Sequence, residues 1–181
     1  KKNPARAKRG RKFFNHMKIK LLEILKELQS DVGAPSPKII ADEHNVYLLF
    51  YLNAKDPNWD GTSVHVRNDN DLGIALVKFK HFSEFKFGGP NDEAISGHPY
   101  YGAGLKPYSI NKVENSDWIE QLEKENSVHP YHKPERYRES QHLIFFFHDT
   151  CFEIVCKEYS YELLNEEKMK DKMKKIVDDL I

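Results

Sequence analysis

The stretch QHLIFFFHDTCFEIVC, from Gln141 to Cys156, is the most regularly patterned part of the chain. An apolar run is followed by a polar break at His148, Asp149 and Thr150, and then by residues that alternate between apolar and polar. Aromatic and β-branched residues favour strands, and a short polar break between two such runs is typical of a hairpin. We therefore predict a central antiparallel hairpin, with the rest of the chain packed around it.

The second strand of this hairpin has two different faces, because successive side chains of a strand point in opposite directions. Phe152, Ile154 and Cys156 share one face, which we predict to be core. Cys151 and Glu153 share the other, which we predict to meet solvent or a cleft. The two cysteines then point apart, which disfavours a disulfide between them, and reduced thiols are typical of the cytoplasm.

Length and composition indicate one domain. A chain of 181 residues with 39% apolar residues, eleven Phe and nine Tyr can bury a core without disulfides or metals. Its uncharged apolar runs, such as Leu143 to Phe147, are far shorter than a membrane span, and the basic N-terminus lacks the apolar stretch of a secretion signal. We predict a cytoplasmic protein without membrane contact.

Apolar residues at helical spacing predict three helices, at about residues 15–30, 117–126 and 162–180. β-prone runs predict further strands, at about residues 39–41, 46–52, 73–79, 84–87 and 108–113. This order of elements indicates an α+β fold and not a βαβ repeat. The prediction is a single α+β domain, residues 13–181, with a mainly antiparallel sheet flanked by the three helices.

Residues 1–12 are predicted to form a flexible basic arm in front of this domain. Residues 1–20 carry nine basic and no acidic side chains, so the remainder carries 19 basic against 28 acidic ones. Such an arm can bind phosphates by releasing counterions, which makes nucleic acid a candidate partner of the Lys1–Lys12 segment. It can equally dock on the acidic body or keep the protein in solution.

The first candidate site is the hairpin turn. His148 and Asp149 could pair for acid–base chemistry, with Glu153 and His98 as further catalytic candidates and Cys151 nearby. The alternative is plain turn chemistry, in which Asp149 bonds neighbouring backbone N–H groups. A cysteine nucleophile would need an adjacent base and a lowered pKa, and the sequence shows neither.

The second candidate site is the glycine-rich segment GHPYYGAGL, residues 97–105. Its glycines would let backbone N–H groups face an anion, while His98, Tyr100 and Tyr101 could hydrogen-bond a ligand. The lysine of a phosphate-binding loop does not follow, so a structural loop is the alternative, and no cofactor is predicted.

The third candidate site is a set of histidines. His129, His132 and His142, with Asp117 or Glu120, could hold a metal if folding brought them around one ion. Scattered histidines usually do not converge, so no metal site is predicted.

Two tryptophans complete the candidate binding residues. Trp59 lies in a polar loop, residues 53–72, and is a candidate binding anchor, whereas Trp118 on an amphipathic helix suits the core. The predicted binding residues are Trp59, Tyr100, Tyr101, Trp118 and His129.

Four motifs occur together in the second half of the chain: G-H-P-x-x-G-x-G-L at residues 97–105, S-x-W-I-x-x-L-E at 116–123, V-H-P at 128–130 and F-H-D-S/T-x-F-E at 147–153. As a set they resemble a family of small uncharacterised bacterial proteins, over about residues 75–156. The resemblance implies a bacterial source and a single α+β domain, and it carries no known activity. It also implies one cluster formed by His98, Trp118, His129, His148, Asp149 and Glu153.

We expect a bacterial cytoplasmic binding or interaction domain without catalysis, of the kind found among immunity and defence proteins, with another protein as its partner. The basis is that no catalytic or cofactor motif is complete, while two long loops carry aromatic residues. The alternative is a hydrolase or metal-dependent enzyme that uses His98, His148, Asp149 and Glu153 in one cleft. A weaker alternative is nucleic-acid association through the arm.

Overall fold

The structure, a computed structural model, describes residues 18–53, 73–165 and 167–180. Over these residues the chain is a single α+β domain with two antiparallel sheets and three helices, which confirms the predicted fold class. The predicted arm, Trp59 and the greater part of the predicted loop at 53–72 lie outside the described residues.

Nine strands and three helices are present in the described part of the chain. The strands are β1 (Lys20–Glu23), β2 (Lys38–Ala41), β3 (Asn45–Tyr51), β4 (Ile74–Lys80), β5 (Glu84–Gly88), β6 (Ile110–Glu114), β7 (Gln141–Phe146), β8 (Cys151–Cys156) and β9 (Glu158–Leu164). The helices are α1 (Asp117–Asn126), α2 (Glu135–Arg138) and α3 (Met169–Leu180). The five-stranded sheet has the order β1-β6-β7-β8-β5, and the four-stranded sheet has the order β2-β3-β4-β9.

The predicted central hairpin is confirmed as β7 and β8. Phe145 lies opposite Phe152 and Leu143 lies opposite Ile154, and the N–H of Phe147 donates to the carbonyl of Thr150 at 2.8 Å to close the turn. The hairpin occupies the middle of the five-stranded sheet, with β6 on one side and β5 on the other. The continuous apolar run of β7 reflects burial of both of its faces, since Phe145 lies in one apolar cluster and Phe146 in another.

The main core lies between the two sheets. Phe50 and Phe79 of the four-stranded sheet meet the hairpin edge-to-face, with ring centroids 5.1 Å from Phe147 and 5.7 Å from Phe145 respectively. Phe152 belongs to the same cluster, together with Ile154 and Cys156, so the predicted core face of β8 is confirmed. Burial of such aromatic side chains is the dominant stabilising contribution to a fold of this kind.

Each sheet also has a covered outer face. Met169 and Ile176 of α3 pack on Leu49 and Leu76 of the four-stranded sheet. On the other side of the molecule, the segment before β6 packs Ile95, Tyr100 and Leu105 against Ile144 and Phe146 of β7. This second cover lies over the face of β8 that carries Glu153.

The predicted helix at residues 15–30 is wrong over the part that is described. Lys20–Glu23 pairs with β6 as a strand, and a single 3-10 turn follows at Lys26–Leu28. The apolar spacing arises because Leu21 packs on the outer face of the sheet while Leu28 enters the core between the sheets. One contact from a strand and one from a turn therefore produce the same apolar spacing as an amphipathic helix.

The other two predicted helices are present. The helix at 117–126 is confirmed as α1. The helix at 162–180 begins later than predicted, because β9 continues to Leu164 and α3 starts at Met169. Among the described helices, none is long and apolar enough to cross a bilayer.

Candidate functional site

A buried cluster, which we name the Glu153 cluster, lies on the outer face of the five-stranded sheet. The carboxylate of Glu153 is 3.5 Å from Nε2 of His98 and 3.0 Å from Nε2 of His142. Both histidine side chains are buried, and the side chain of Glu153 is 15% exposed. The sequence placed Glu153 at a cleft or in solvent; the structure instead covers it with the glycine-rich segment and α1.

Hydrogen bonds assign the protons of this cluster. The backbone N–H of Tyr100 donates to Nδ1 of His98 at 3.2 Å, so the ring carries its proton on Nε2, which faces Glu153. Ser116 Oγ accepts from the N–H of Ile119 at 3.2 Å and lies 2.8 Å from Nδ1 of His142. The serine hydroxyl can donate its own proton to that nitrogen, so His142 also presents Nε2–H to Glu153.

These donors determine the charge of Glu153. Burial raises the pKa of its carboxyl, but the hydrogen bonds from His142 and His98 outweigh burial and lower the pKa to about 2. Glu153 is therefore ionised at neutral pH, with a hydrogen bond from His142 at 3.0 Å and a longer contact with His98 at 3.5 Å. A buried carboxylate with satisfied hydrogen bonds ties the segments that supply its donors to the sheet.

Cys151 brings a sulfur atom to the same place. Its Sγ lies 3.8 Å from Nε2 of His98, and His98, Cys151 and Glu153 each offer a ligand atom within 4.8 Å of the others. A zinc ion would need a thiolate and an unprotonated Nε2. Burial raises the pKa of the Cys151 thiol, and the Tyr100 N–H keeps the proton of His98 on Nε2. The three residues thus suit hydrogen bonding better than metal coordination.

Two predicted binding residues are structural parts of this cover. Tyr100 is buried and its hydroxyl donates to Asp117 Oδ1 at 2.5 Å. Trp118 is buried, and its Nε1–H donates to Glu84 Oε2 at 3.0 Å while Lys86 Nζ lies 3.7 Å from the ring centroid. Both side chains hold α1 and the glycine-rich segment in place, so neither is free to anchor a partner.

A second cluster, the His148 cluster, lies at the turn between β7 and β8. Nδ1 of His148 is 2.9 Å from Asp92 Oδ2, and the hydroxyl of Tyr108 donates to the same oxygen at 2.5 Å. The rings of Tyr108 and His148 are nearly parallel, with centroids 6.3 Å apart. Asp149 Oδ1 lies 3.9 Å from Nε2 of His148.

The His148 cluster differs from the Glu153 cluster in exposure and in strain. The side chain of His148 is 40% exposed, and the hydrogen bond to Asp92 raises the pKa of the imidazole. Tyr108 has φ 57°, a left-handed conformation that costs a bulky residue about 1–3 kcal/mol. Asp92 Oδ1 is buried without a hydrogen-bond partner. Strain and an unsatisfied carboxylate oxygen coincide next to an exposed imidazole.

The single cluster implied by the resemblance divides into separate parts. His98 and Glu153 meet, and the ring of Trp118 contacts their partner His142 with centroids 5.0 Å apart. His148 and Asp149 belong instead to the turn, and no hydrogen bond or ion pair between described residues joins the two clusters. The one-cleft arrangement of the hydrolase hypothesis is therefore not supported by these contacts.

The predicted histidine set also divides. His142 binds Glu153 and is buried, whereas His132 Nε2 lies 2.7 Å from Glu123. His129 is exposed, and its Nδ1 accepts from the N–H of Tyr131 at 3.1 Å. The three rings have different partners, so they do not form a shared metal site.

The glycine-rich segment folds as two short 3-10 turns, Ile95–Gly97 and Tyr101–Ala103. The N–H groups of Gly97, His98 and Gly104 donate to carbonyls within the segment and do not point at an anion. Gly104 adopts φ 99°, which a residue without Cβ reaches at little cost. The structural-loop alternative is thus the better description, although the side chain of Tyr101 remains about half exposed.

Sequence patterns did not predict Asp92 and Tyr108 as members of the His148 cluster, nor Ser116 and His142 as members of the Glu153 cluster. Asp92 lies 56 positions before His148, and no motif connects them. A signal existed only for Ser116, whose position before the helix suits an N-cap.

Compared with known proteins, the chain matches no protein-family model, no curated protein and no solved structure to a significant degree. The resemblance to small bacterial proteins stays a prediction.

Proposed function

We propose that this chain is a binding domain of the bacterial cytoplasm, of the immunity or defence type, whose partner is another protein. The observation that carries the proposal is the exposure of two large apolar side chains in one short segment after α1. Val128 is 89% exposed and Tyr131 is 80% exposed. Tyrosine is enriched among the anchors of protein interfaces, and the exposed Val128 adds apolar surface beside it.

The segment that carries them, residues 127–134, is held by hydrogen bonds to α1 and by one within the segment. His132 contacts Glu123 at 2.7 Å and Asn126 Oδ1 at 3.2 Å, and His129 Nδ1 accepts from the N–H of Tyr131. The polar side chains therefore fix the loop while the apolar ones project from it. A loop that is already ordered loses less conformational entropy on binding than a flexible one.

A partner is expected to cover this segment. Burial of one large apolar side chain contributes about 1.5–3 kcal/mol, so the loss of two anchors should weaken binding at least about tenfold. The test is capture from a bacterial lysate on the immobilised chain, identification of the retained protein, and titration calorimetry with that protein after purification. The double variant Val128→Ser/Tyr131→Ser should lose at least tenfold in affinity.

A matched control makes the same chemical change elsewhere. Val32 and Tyr161 are 50% and 40% exposed, so Val32→Ser/Tyr161→Ser removes a valine and a tyrosine from other parts of the surface. This control should bind like the parent chain. Loss of binding in the control alone would move the interface to the surface around Val32 and Tyr161, and equal binding by all three proteins would contradict a role for residues 127–134.

A further inference from the structure

The free ring nitrogen of His148 distinguishes it from His98 and His129. Asp92 Oδ2 lies 2.9 Å from Nδ1 of His148, and two lone pairs would repel at this distance, so Nδ1 carries the proton. The free electron pair of the neutral ring is then on Nε2. In His98 and His129 a backbone N–H donates to Nδ1, which places the proton on Nε2. Of these three rings, only His148 can ligate a metal through Nε2.

The partners of His148 resemble the outer shell of a metal-bound histidine. Such histidines generally donate their second N–H to a carboxylate, which fixes the tautomer and makes the ligating nitrogen more basic. Asp92 takes this position, and the hydroxyl of Tyr108 donates to its Oδ2 at 2.5 Å while lying 3.0 Å from Nδ1 of His148. The arrangement is therefore set before any ligand arrives.

A second ligand and an open approach lie next to Nε2. Asp149 Oδ1 is 3.9 Å from this nitrogen, and the Asp149 side chain is 81% exposed, so the carboxylate can turn to share an ion. Glu93 adds negative charge nearby. The half-exposed ring of His148 leaves Nε2 accessible from solvent.

We propose that His148 Nε2 and the carboxylate of Asp149 bind a divalent transition-metal ion of the Zn²⁺ class, with water in the remaining positions. Imidazole together with carboxylate is a ligand set that suits such ions. Asp92 and Tyr108 are positioning residues that act through His148. The metal site is separate from residues 127–134 and does not depend on the protein partner proposed above.

The test is calorimetric titration of the metal-free full chain with Zn²⁺. His148→Gln should lower the affinity at least tenfold, and Asp149→Asn should weaken it as well. Asp92→Asn should lower it by about tenfold to a hundredfold, because loss of an outer-shell partner has an effect of this size. His129→Gln is the matched control, since His129 is an exposed histidine with the opposite tautomer, and it should bind Zn²⁺ like the parent chain.

Nitrogen NMR of the histidine rings supplies a second readout. In the metal-free chain, His148 should carry its proton on Nδ1 and His129 on Nε2, and Asp92→Asn should change the tautomer of His148 alone. Equal Zn²⁺ affinity in His148→Gln would overturn the proposal. Unchanged affinity in Asp92→Asn would reduce the site to an adventitious ion only. A thiolate-to-cobalt absorption band on titration with Co²⁺ would place the ion at Cys151 and overturn it too.

Discussion

At the scale of single residues, Glu153 is the residue whose environment departs furthest from what the strand pattern indicated. The alternation of side chains along β8 correctly placed Glu153 on the face opposite Phe152 and Ile154, and the structure shows both of these residues in the core. The two imidazoles that bind it come from His98 and His142, one in a loop and one in the neighbouring strand. Its role is therefore defined by contacts and not by its position in β8.

We expect Glu153→Gln to lower the free energy of unfolding by about 2 kcal/mol at pH 7, because an amide in place of the carboxylate leaves a buried N–H donor unsatisfied. Urea denaturation measures the change. Glu158→Gln, a change at an exposed position of β9, is the control and should have little effect. Equal stability of Glu153→Gln and the parent chain would contradict the assigned hydrogen bonds.

The stabilisation by Glu153 should also depend on pH. The folded-state pKa of about 2 lies below the ordinary glutamate pKa of 4.5, so the extra stability is fully present above the unfolded pKa and is lost as the pH falls through the folded one. The difference in unfolding free energy between the parent chain and Glu153→Gln should therefore shrink between about pH 5 and pH 2. A difference that is constant over this range would contradict the lowered pKa.

At the scale of elements, the start of helix α1 can be predicted from the sequence, but its attachment to the five-stranded sheet cannot. Ser116 is the N-cap and accepts from the N–H of Ile119. The same hydroxyl reaches His142 of β7, which links the helix to the sheet. A local capping signal and a long-range contact thus share one side chain.

We expect Ser116→Ala to destabilise the protein by about 2 kcal/mol, since it removes an N-cap and leaves buried Nδ1 of His142 without its partner. Ser127→Ala at the other end of α1 is the matched control. The Ser127 hydroxyl donates only to the carbonyl of Lys124 at an exposed position, so its loss should cost little. Thermal unfolding of both variants checks this, and equal losses would show that the His142 contact contributes nothing.

At the scale of the whole molecule, the layers share one core. The two sheets meet through the cluster of Phe50, Phe79, Phe145 and Phe152, and each outer face has its own cover. Loss of one sheet would expose the aromatic face of the other. Cooperative unfolding of all layers follows from this shared surface.

We expect a single transition in urea when far-UV circular dichroism and tryptophan fluorescence are compared. In a Trp59→Phe background Trp118 is the remaining tryptophan and reports on the layer over the five-stranded sheet. Phe145→Ala should shift both transitions equally, with a loss of about 3–5 kcal/mol. A fluorescence transition at lower urea than the dichroism transition would show that this outer layer unfolds separately.

Local sequence patterns correctly predicted the β7–β8 hairpin, the core face of β8, the strands β2 and β3 and the helix α1. Their patterns depend on residues that are near neighbours along the chain. The same reasoning failed at residues 20–28, because Leu21 and Leu28 pack in different layers and their spacing only imitates a helix.

Which chemical groups meet cannot be derived from these local patterns and depends on the tertiary structure. His98 finds Glu153 and Asp92 finds His148 across more than fifty positions of sequence, because β6, β7, β8 and β5 lie side by side and their connections fold over one face. The tertiary structure also determines which ring nitrogen of each histidine carries the proton. A backbone N–H at Nδ1 of His98 and a carboxylate at Nδ1 of His148 select opposite tautomers. Sequence pattern encodes which faces are apolar, whereas pairing distant polar groups requires the order of strands in the sheet.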